Sequence, residues 1–445
     1  MPQEMAMPQK TYLCIDLKSF YASVECADLG LDPFVDNLVV ADPERSRTTI
    51  CLAITPAMKA RGVKNRCRVF DIPANMSYIM ARPRMRRYME VSAAIYAIYL
   101  RYVSPEDVHV YSIDECFIDA TPYLSLYGMD ARTFARTLMS AVFKETSICA
   151  TAGVGTNLFL AKVALDITAK HAPDNIGFLD EAAFRREIWF HRPITDIWGI
   201  GPGISARLAK HGARDLASTA ALSPQVLYRE FGVNAEFLID HAWGQEPCTI
   251  AEIHAPEGHS LVNGQVLPGD YSFSEARMVM REMVDASVLE LVEKGLVTER
   301  ISLSIGYARQ AGALRGAETF EGGHGTRVIG PRAYGERTGA SRKLERRTNS
   351  ERLLMERFER LFDEVARRDV PIRRLSIGFA DLLPEAHATV TLFDDREAED
   401  KERHLQKALI AVRSKFGKNA LLRGTSLQEK ATARERNEQV GGHHA

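Results

Sequence analysis

The sequence predicts a multidomain α/β protein, and three observations support this fold class. The chain has 445 residues, more than one hydrophobic core usually organises, so about two to four domains are expected. Short β-rich segments alternate with amphipathic helical segments in the N-terminal half. The character of the sequence then changes near residue 193, where a glycine-rich turn follows, and near residue 253, where a polar linker is predicted.

The first elements are a strand and a helix. Residues 12–16 (YLCID) form a short apolar run that ends in a carboxylate, and residues 19–28 (SFYASVECAD) have helical apolar spacing. Residues 38–42 and 50–55 are strand-like, and Gly62 closes a helix that begins at Pro56. These segments predict a small module of strands and helices.

An acidic centre follows in residues 108–121 (VHVYSIDECFIDAT), after a helix predicted at about 84–102. Its two β-rich arms predict a hairpin or two closely spaced strands. Further helical and strand-like segments alternate as far as residue 170, so we expect one α/β sheet with helices on one face.

The C-terminal half has a different pattern of predicted elements. Residues 193–216 combine two short predicted helices and a glycine-rich turn, a pattern typical of a helix-hairpin-helix motif. After the linker, a helix rich in Glu and Met and two β-rich segments suggest a second α/β module with an open sheet face. Past residue 384 we expect one strand-like piece, a charged helix and a loose polar end. Between the β-rich segments lies a basic stretch: Arg309, Arg315, Arg327, Arg332, Arg337, Arg342, Lys343, Arg346 and Arg347.

Composition places the chain among ordinary globular proteins. Hydrophobic residues make up 46% and charged residues 26% of the sequence, and the formal net charge is −1. This charge neither supports nor opposes nucleic-acid binding, because one face can be basic while the rest is acidic. The seven cysteines form no C-x-x-C pair and are expected to be reduced thiols. With no apolar leader or membrane-length run, we expect a cytoplasmic protein.

Three carboxylates are the first candidates for chemistry. Asp16 ends a predicted strand, and Asp114 and Glu115 are adjacent in YSIDECF. Because successive side chains of a strand face opposite sides, an adjacent pair serves one site only near a bend or with metals spread along the strand edge. Three carboxylates would suit paired magnesium ions about 3.5–4 Å apart. On spacing alone, a helix cap and an exposed hairpin turn explain them equally well.

The surrounding sequence resembles the signature motifs of Y-family DNA polymerases, closest to their UmuC-like branch. The similarity rests on DLKSFYASVE at 16–25 and SIDECF at 112–117, in the family's order. It continues through AMKARGVK at 57–64, GVGTNLFLAK at 153–162, WGIG at 198–201 and the tail FGKNALLRG. Nearly the whole chain is covered.

The resemblance implies a right-hand polymerase architecture. An α/β palm at 1–19 and 87–178 would carry small fingers at 20–86, and a helical thumb with the helix-hairpin-helix would span 179–252. A linker at 253–260 would lead to an α/β little finger at 261–383, which binds DNA, and to a tail at 384–445.

The resemblance also implies the reaction, a template-directed, low-fidelity transfer of nucleotides from dNTPs to the primer 3′-OH with release of pyrophosphate. Asp16 and Asp114 would bridge two Mg²⁺ ions, with Mn²⁺ able to replace them, Glu115 would hold the ion at the primer terminus, and the Leu17 carbonyl would complete the nucleotide-side shell. Translesion synthesis in the DNA-damage (SOS) response would be the role.

The predicted nucleotide contacts follow Asp16. The start of a helix can cradle phosphate with its free N–H groups, here at Lys18, Ser19, Phe20 and Tyr21. By resemblance Tyr21 is the steric gate against ribonucleotides. The alternative for both aromatic residues is a position in the core, and it is more plausible for Phe20 than for Tyr21. Lys59 and Lys170 match basic residues of the family that contact the triphosphate, although Pro56 replaces a tyrosine that several members carry. The spacing from Lys162 to Lys170 is one residue longer than in many members.

Predicted contacts with DNA and protein partners complete the hypothesis. Gly199, Ile200 and Gly201 would bring the thumb backbone to a DNA phosphate, independently of sequence. Residues 389–395 (TVTLFDD) resemble a clamp-binding peptide with Leu392 and Phe393 as anchors, although a short packed strand is an equal alternative. Accessory proteins of the UmuD or RecA type are further candidate partners.

Two rival functions remain open at this point. Another palm-domain nucleotidyl transferase, such as a nucleotide cyclase, could use a carboxylate pair on a hairpin. It would not need the helix-hairpin-helix, and no GGDEF-like sequence occurs. A catalytically dead DNA-binding relative is disfavoured because all three carboxylates are present.

Overall fold

The computed structural model describes residues 10–44, 46–252, 260–308, 318–322, 325–329, 336–389 and 395–444. It divides into two compact units, Met1–His254 with His443–Ala445, and Ala255–Gly442. Leu392, Phe393 and residues 253–259 of the predicted linker lie outside the described residues. No helix in the described part of the chain combines the length and apolar character needed to cross a bilayer.

Strands and helices occur in both units, and the longest strands belong to the C-terminal unit. The strands are β1 Tyr12–Leu17, β2 Leu38–Val40, β3 Ala53–Ile54, β4 Ile79–Ala81, β5 Val108–Val110, β6 Glu115–Asp119, β7 Ala150–Gly155, β8 Ile176–Leu179, β9 Ser260–Tyr271, β10 Leu296–Tyr307, β11 Glu318–Gly322, β12 Gly325–Ile329, β13 Arg337–Thr348, β14 Ile372–Ala380, β15 Leu383–Pro384, β16 Gln439–Val440 and β17 His443–His444. The helices are α1 Phe20–Leu29, α2 Pro56–Ala60, α3 Met85–Tyr99, α4 Thr121–Tyr127, α5 Ala131–Thr146, α6 Leu158–Val163, α7 Glu181–Glu187, α8 Pro202–Ala209, α9 Leu216–Ala220, α10 Pro224–Phe231, α11 Ala235–Ala242, α12 Phe273–Glu293, α13 Glu351–Val365, α14 Arg396–Phe416 and α15 Ala433–Asn437.

A five-stranded sheet in the order β5-β6-β1-β7-β8 organises the N-terminal unit. Strand β1 lies antiparallel to both β6 and β7. Because side chains alternate along β1, Leu13 and Ile15 join the core that α3 and α5 cover. Tyr12 and Cys14 face the other side and pack with residues of α6. The expectation of helices on one face only is therefore wrong, because α6 covers part of the second face.

Close contact between β7 and the α6 segment depends on glycine. A Cβ on Gly153 would lie 2.1 Å from the Ala161 carbonyl oxygen, and one on Gly155 would lie 2.2 Å from the Ala161 nitrogen. Such distances are not tolerated, so any side chain at either position would force the helix away from the sheet. The glycines of GVGT thus hold α6 against the strand next to Asp16.

A small module between α1 and α3 has its own core. Strands β3, β2 and β4 form a three-stranded sheet, and Met58 of α2 packs inside it with Val39 and Ile54. The strand predicted at 50–55 is shorter than expected: only Ala53–Ile54 form a strand, with an isolated bridge at Ile50. Helices α7–α11 form a separate helical region, whose core includes residues of α6.

The C-terminal unit is an α/β module, as expected. Strands β9, β14, β10, β13, β11 and β12 adjoin in one sheet, with β15 also pairing with β10, and helices α12 and α13 contribute to its core. The sequence did not predict β9, because Pro268 and Gly269 are unusual inside strands. Strand β9 tolerates them at the sheet edge, where it pairs with β14 alone among the described strands.

The expectation of a loose polar end is wrong for the described part of the tail. Glu282 of α12 is 6% exposed and accepts hydrogen bonds from the backbone N–H groups of Thr432 and Ala433 at 2.9 and 3.0 Å. Arg423 donates to Asp285, also on α12, at 2.9 Å. These contacts tie residues 423–433 to the body of the unit.

Candidate active site

The sheet places Asp16 and Glu115 side by side. They are cross-strand partners in the β1–β6 register, and both belong to the alternate positions that include Cys14 and Phe117, the face that packs with α6. Asp16 is half-buried at the end of β1. The predicted strand end and hairpin therefore bring two of the three carboxylates together on the neighbouring inner strands β1 and β6.

Asp114 lies in the bend that precedes β6, where the adjacent pair can serve one site. Its backbone carbonyl accepts a hydrogen bond from the Leu17 N–H at 2.9 Å, which ties the bend to the end of β1. The Ser112 hydroxyl donates to Asp114 Oδ1 at 2.7 Å. Leu17 itself is 4% exposed. The bend is thus held by both its backbone and its side chains.

Lys162, on α6, fixes the third carboxylate. Its ammonium lies 2.8 Å from Glu115 Oε1 and 3.1 Å from Asp166 Oδ2, and the Cys14 thiol donates to the same Glu115 oxygen at 3.1 Å. The acidic partners raise the pKa of Lys162 above its usual value even though burial opposes this. Sequence reasoning did not single out Lys162 as a site residue, because its partner lies 47 positions away on another element.

The site carries excess negative charge. Burial, followed by the neighbouring charges of Asp114 and Glu115, raises the pKa of Asp16 to about 7, while the charge of Lys162 opposes the shift. Mg²⁺ prefers hard oxygen ligands such as carboxylates. A cation would also relieve the repulsion between these neighbouring negative charges. Within the described ranges, no three Asp, Glu, His or Cys side chains already converge on a single metal position. The donor chemistry nevertheless fits a divalent cation.

The turn between β1 and α1 has unusual backbone geometry. Ser19 adopts φ 50° and ψ 41°, a left-handed conformation uncommon for a residue other than glycine. Its buried hydroxyl has no hydrogen-bond partner among the residues that the structure describes. The Lys18 carbonyl accepts from the Ser23 hydroxyl at 2.6 Å. This strained turn directly follows Asp16, and strain of this kind clusters at functional sites.

The two aromatic residues after Ser19 have different environments. Phe20 is 2% exposed and belongs to the core beneath the sheet. Tyr21 is half-buried, and burial together with the charge of Asp114 raises its pKa. Tyr21 therefore lies within electrostatic reach of Asp114. The structure gives Phe20 a packing position and leaves Tyr21 beside the site.

Lys59 lies within electrostatic reach of two other lysines, Lys18 and Lys170. Burial lowers the pKa of Lys59, Asp16 opposes that shift, and the charges of Lys170 and Lys18 lower the pKa further. A five-residue π-helical segment, Ala164–Thr168, separates α6 from the short 3₁₀ turn that carries Lys170. Because a π turn holds one more residue than an α turn, it fits the extra residue between Lys162 and Lys170.

The glycine-rich turn is followed by an α-helix and preceded by only a 3₁₀ turn, Ile194–Asp196. Gly199 has φ +82°, and a Cβ at Gly199 or Gly201 would meet nothing within 4 Å. Ile200 is 4% exposed and anchors the turn. The two glycines thus present open backbone before α8. Trp198 Nε1 donates to the Tyr111 hydroxyl at 3.1 Å, which connects this turn to the hairpin of Glu115.

The mixed sheet brings Asp16 and Glu115 together next to the bend at Asp114 and near several lysines, an arrangement typical of the palm of nucleotidyl transferases. The impB/mucB/samB family model matches residues 15–166 and its C-terminal domain matches residues 259–392. A protein of Halalkalibacterium halodurans named DNA polymerase IV 2 is 30% identical over 98% of this chain and 99% of its own. A Bacillus subtilis protein of the same name is 28% identical over 98% of this chain and 100% of its own.

A solved Y-family DNA polymerase chimera has the same fold. Its TM-score is 0.60 with 18% identity, covering 84% of this chain and 99% of the chimera. The chain belongs to the Y family of translesion DNA polymerases.

Proposed function

We propose that this chain extends a primer on a DNA template by transferring nucleotides from dNTPs to the primer 3′-OH with release of pyrophosphate, and that it tolerates template damage. The observation that carries the proposal is the pairing of Asp16 with Glu115 across β1 and β6, with Asp114 in the adjoining bend. This arrangement concentrates negative charge, and the charges of Asp114 and Glu115 add to the effect of burial in raising the pKa of Asp16.

Asp16, Asp114, Glu115 and the Leu17 carbonyl would hold two Mg²⁺ ions, with Mn²⁺ able to replace them. When bound, such ions neutralise charge on the attacking and leaving oxygens and help the primer hydroxyl to ionise. The protein's part is to fix the ligands. Lys162 and Cys14 hold one Glu115 oxygen, and Ser112 holds one Asp114 oxygen.

The residues around the carboxylates suit the triphosphate of a dNTP. Lys18, Lys59 and Lys170 supply positive charge to one region, and the first N–H groups of α1 lack intrahelical partners. Together they would bind phosphate oxygens and orient the α-phosphate toward the primer terminus. Tyr21, beside this region, would be the steric gate that excludes a ribonucleotide 2′-OH.

Damage tolerance follows from the size of the fingers. The module between α1 and α3 has a three-stranded sheet with only two or three residues in each strand, so it would enclose the nascent base pair loosely. A loose enclosure admits distorted template bases at the expense of fidelity. The predicted domain bounds and the low fidelity are parts of this proposal.

Two surfaces would hold the DNA backbone. The turn of Gly199 to Gly201 offers open backbone to a phosphate. In the C-terminal unit, Ser302 lies between Gly378 and Ser341 in the sheet register, and Ser304 lies between Ser376 and Gly339. These small side chains leave one sheet face open to a duplex.

A sliding clamp and UmuD- or RecA-type proteins are the proposed protein partners.

Primer extension with Mg²⁺ and dNTPs tests the proposal, on undamaged templates and on templates with an abasic site. We expect extension on both by the wild type, and no extension by Asp114→Ala. Glu106→Ala is the matched control, because Glu106 is an exposed carboxylate in the turn before β5, at the other end of the β5–β6 hairpin from Asp114. A wild type that binds primer–template without extending it would instead support the binding-protein alternative.

A further inference from the structure

The ring of Tyr21 is stacked on a second tyrosine. The Tyr21 and Tyr88 ring centroids are 4.5 Å apart with an interplanar angle of 19°. The other aromatic neighbour of Tyr21 among the described residues is Phe20, at 5.8 Å and a tilt of 48°. Tyr88 therefore supplies the flat surface against which the plane of Tyr21 is set.

Tyr88 is itself held by a buried carboxylate. It is fully buried in α3, and its hydroxyl donates to Glu25 Oε1 at 2.7 Å. Glu25 is 4% exposed and also accepts two hydrogen bonds from Arg84, at 3.0 and 2.8 Å. A buried carboxylate with three donors has one strongly preferred orientation, so the Tyr88 ring is fixed at both its hydroxyl and its packed faces.

We propose that Tyr88 is a positioning residue for sugar selection, acting by fixing the plane of Tyr21, and that Glu25 fixes Tyr88 in turn. The inference rests on the proposed role of Tyr21 as the steric gate. A gate excludes a single hydroxyl only if its ring edge stays within a fraction of an ångström of its position, and a tyrosine side chain free to rotate would not do so. The stacked pair removes that freedom.

The alternative is that Tyr88 is an ordinary core residue whose loss affects only stability. Tyr123 offers a matched control for this reading. It is also a buried tyrosine, its hydroxyl donates to Asp107 at 2.6 Å, and it stacks on Tyr127 and Phe134. Leucine at position 123 should therefore disturb the same unit to a similar extent, without touching Tyr21.

The test is the ratio of kcat/KM for a dNTP to that for the matching rNTP, measured in single-nucleotide insertion. Tyr21→Ala should abolish discrimination, which tests the gate itself. Tyr88→Leu should lower discrimination about three- to tenfold, the worth of a stacked aromatic pair, mainly by improving rNTP insertion. Adding Tyr88→Leu to Tyr21→Ala should change discrimination no further. Tyr88→Phe, which keeps the ring, should retain most of it.

Each of the other possible results contradicts a specific part of the proposal. Wild-type discrimination in Tyr88→Leu, or an equal loss in Tyr123→Leu, would overturn the positioning role of Tyr88. Undiminished discrimination in Tyr21→Ala would show that Tyr21 is not the gate, and the positioning inference would fall with it. If Tyr88→Leu does not fold, Tyr88→Phe and Glu25→Gln decide, because both disturb the hydrogen bond that orients Tyr88. Both should lower discrimination slightly and to a similar extent, and wild-type discrimination in both would overturn the positioning role.

Discussion

Lys162 Nζ lies 2.8 Å from Glu115 Oε1, and both side chains are about nine-tenths buried, at 9% and 10% exposure. The Lys162 ammonium thus reaches Glu115 from α6, which packs on the same face of the sheet. A buried ion pair stabilises little compared with apolar residues, but removing one partner leaves the other charge uncompensated. The pair therefore links the stability of the five-stranded sheet to the orientation of Glu115, a proposed metal ligand.

Replacing Lys162 by methionine should harm both stability and catalysis. We expect the free energy of unfolding to fall by about 3–5 kcal/mol, because Glu115 stays buried without its cation. Primer extension should fall by at least about tenfold, the usual effect of losing a residue that supports a metal ligand. Urea denaturation and single-nucleotide insertion measure the two effects. Lys144→Met, at an exposed position of α5, should leave both unchanged; an equal loss there would contradict the prediction.

Replacing Lys59 by alanine should weaken nucleotide binding. The side chain lies within electrostatic reach of Asp16, Lys18 and Lys170, and one charge-assisted hydrogen bond to phosphate corresponds to about a tenfold change in the KM for dNTP. We expect kcat to change less. Lys64→Ala removes the same charge from an exposed position five residues later. Steady-state kinetics in which both variants behave alike would exclude a specific triphosphate contact.

The two glycines of the thumb turn should respond differently to alanine. Gly199→Ala should lower the free energy of unfolding by about 1–2 kcal/mol, because φ is +82° and alanine disfavours that region. Gly201→Ala, at φ −80° with open space around it, should leave stability within about 0.5 kcal/mol yet weaken primer–template binding severalfold. Thermal unfolding and fluorescence anisotropy separate the effects. Unchanged DNA affinity in both variants would remove the turn from the DNA interface.

Asp174 should contribute stability that depends on pH. Hydrogen bonds from Arg132, followed by those from Arg136, hold the pKa of Asp174 well below its usual value of 3.8. A carboxyl with a depressed pKa stabilises the fold fully above its unfolded pKa, and that contribution is lost as pH falls through the folded pKa. Because these groups are largely exposed, Asp174→Asn should lower the free energy of unfolding by only about 0.5–1 kcal/mol at pH 7. In urea titrations the difference should stay constant down to about pH 4 and shrink below it. A difference that grows on acidification would contradict this.

Much of the palm could be predicted from sequence because its elements are locally encoded. The apolar run at 12–16 became β1, the helix expected at 84–102 became α3, and the acidic segment at 108–121 became the β5–β6 hairpin. Strand alternation left two explanations for the adjacent Asp114 and Glu115, a bend or metals spread along the strand edge, and the structure places Asp114 in a bend. The right-hand architecture rested on resemblance, and family membership confirms it.

Other features depended on contacts between distant residues. No local pattern shows that Lys162 meets Glu115, or that Tyr88 stacks on Tyr21. Strand β9 was missed because its Pro and Gly residues read as loop, and only its edge position makes them acceptable. The tail was predicted to be loose because its residues are polar. It is ordered because these residues find buried hydrogen-bond partners on α12, which no local pattern shows. The UmuC-like branch, the SOS response, the cytoplasmic location and clamp binding through Leu392 and Phe393 stay predictions.

The most direct test of the account is single-turnover insertion of one dNTP into a bound primer–template with Mg²⁺, comparing wild type with Asp114→Asn. The substitution keeps the size of the side chain and removes its charge, so DNA affinity, measured in the same samples, should be unchanged. We predict that the insertion rate falls by about 10²–10³-fold or more, because charge neutralisation at the reacting phosphate is lost. An Asp114→Asn protein that binds DNA normally and inserts within about tenfold of the wild-type rate would contradict the assignment of this site.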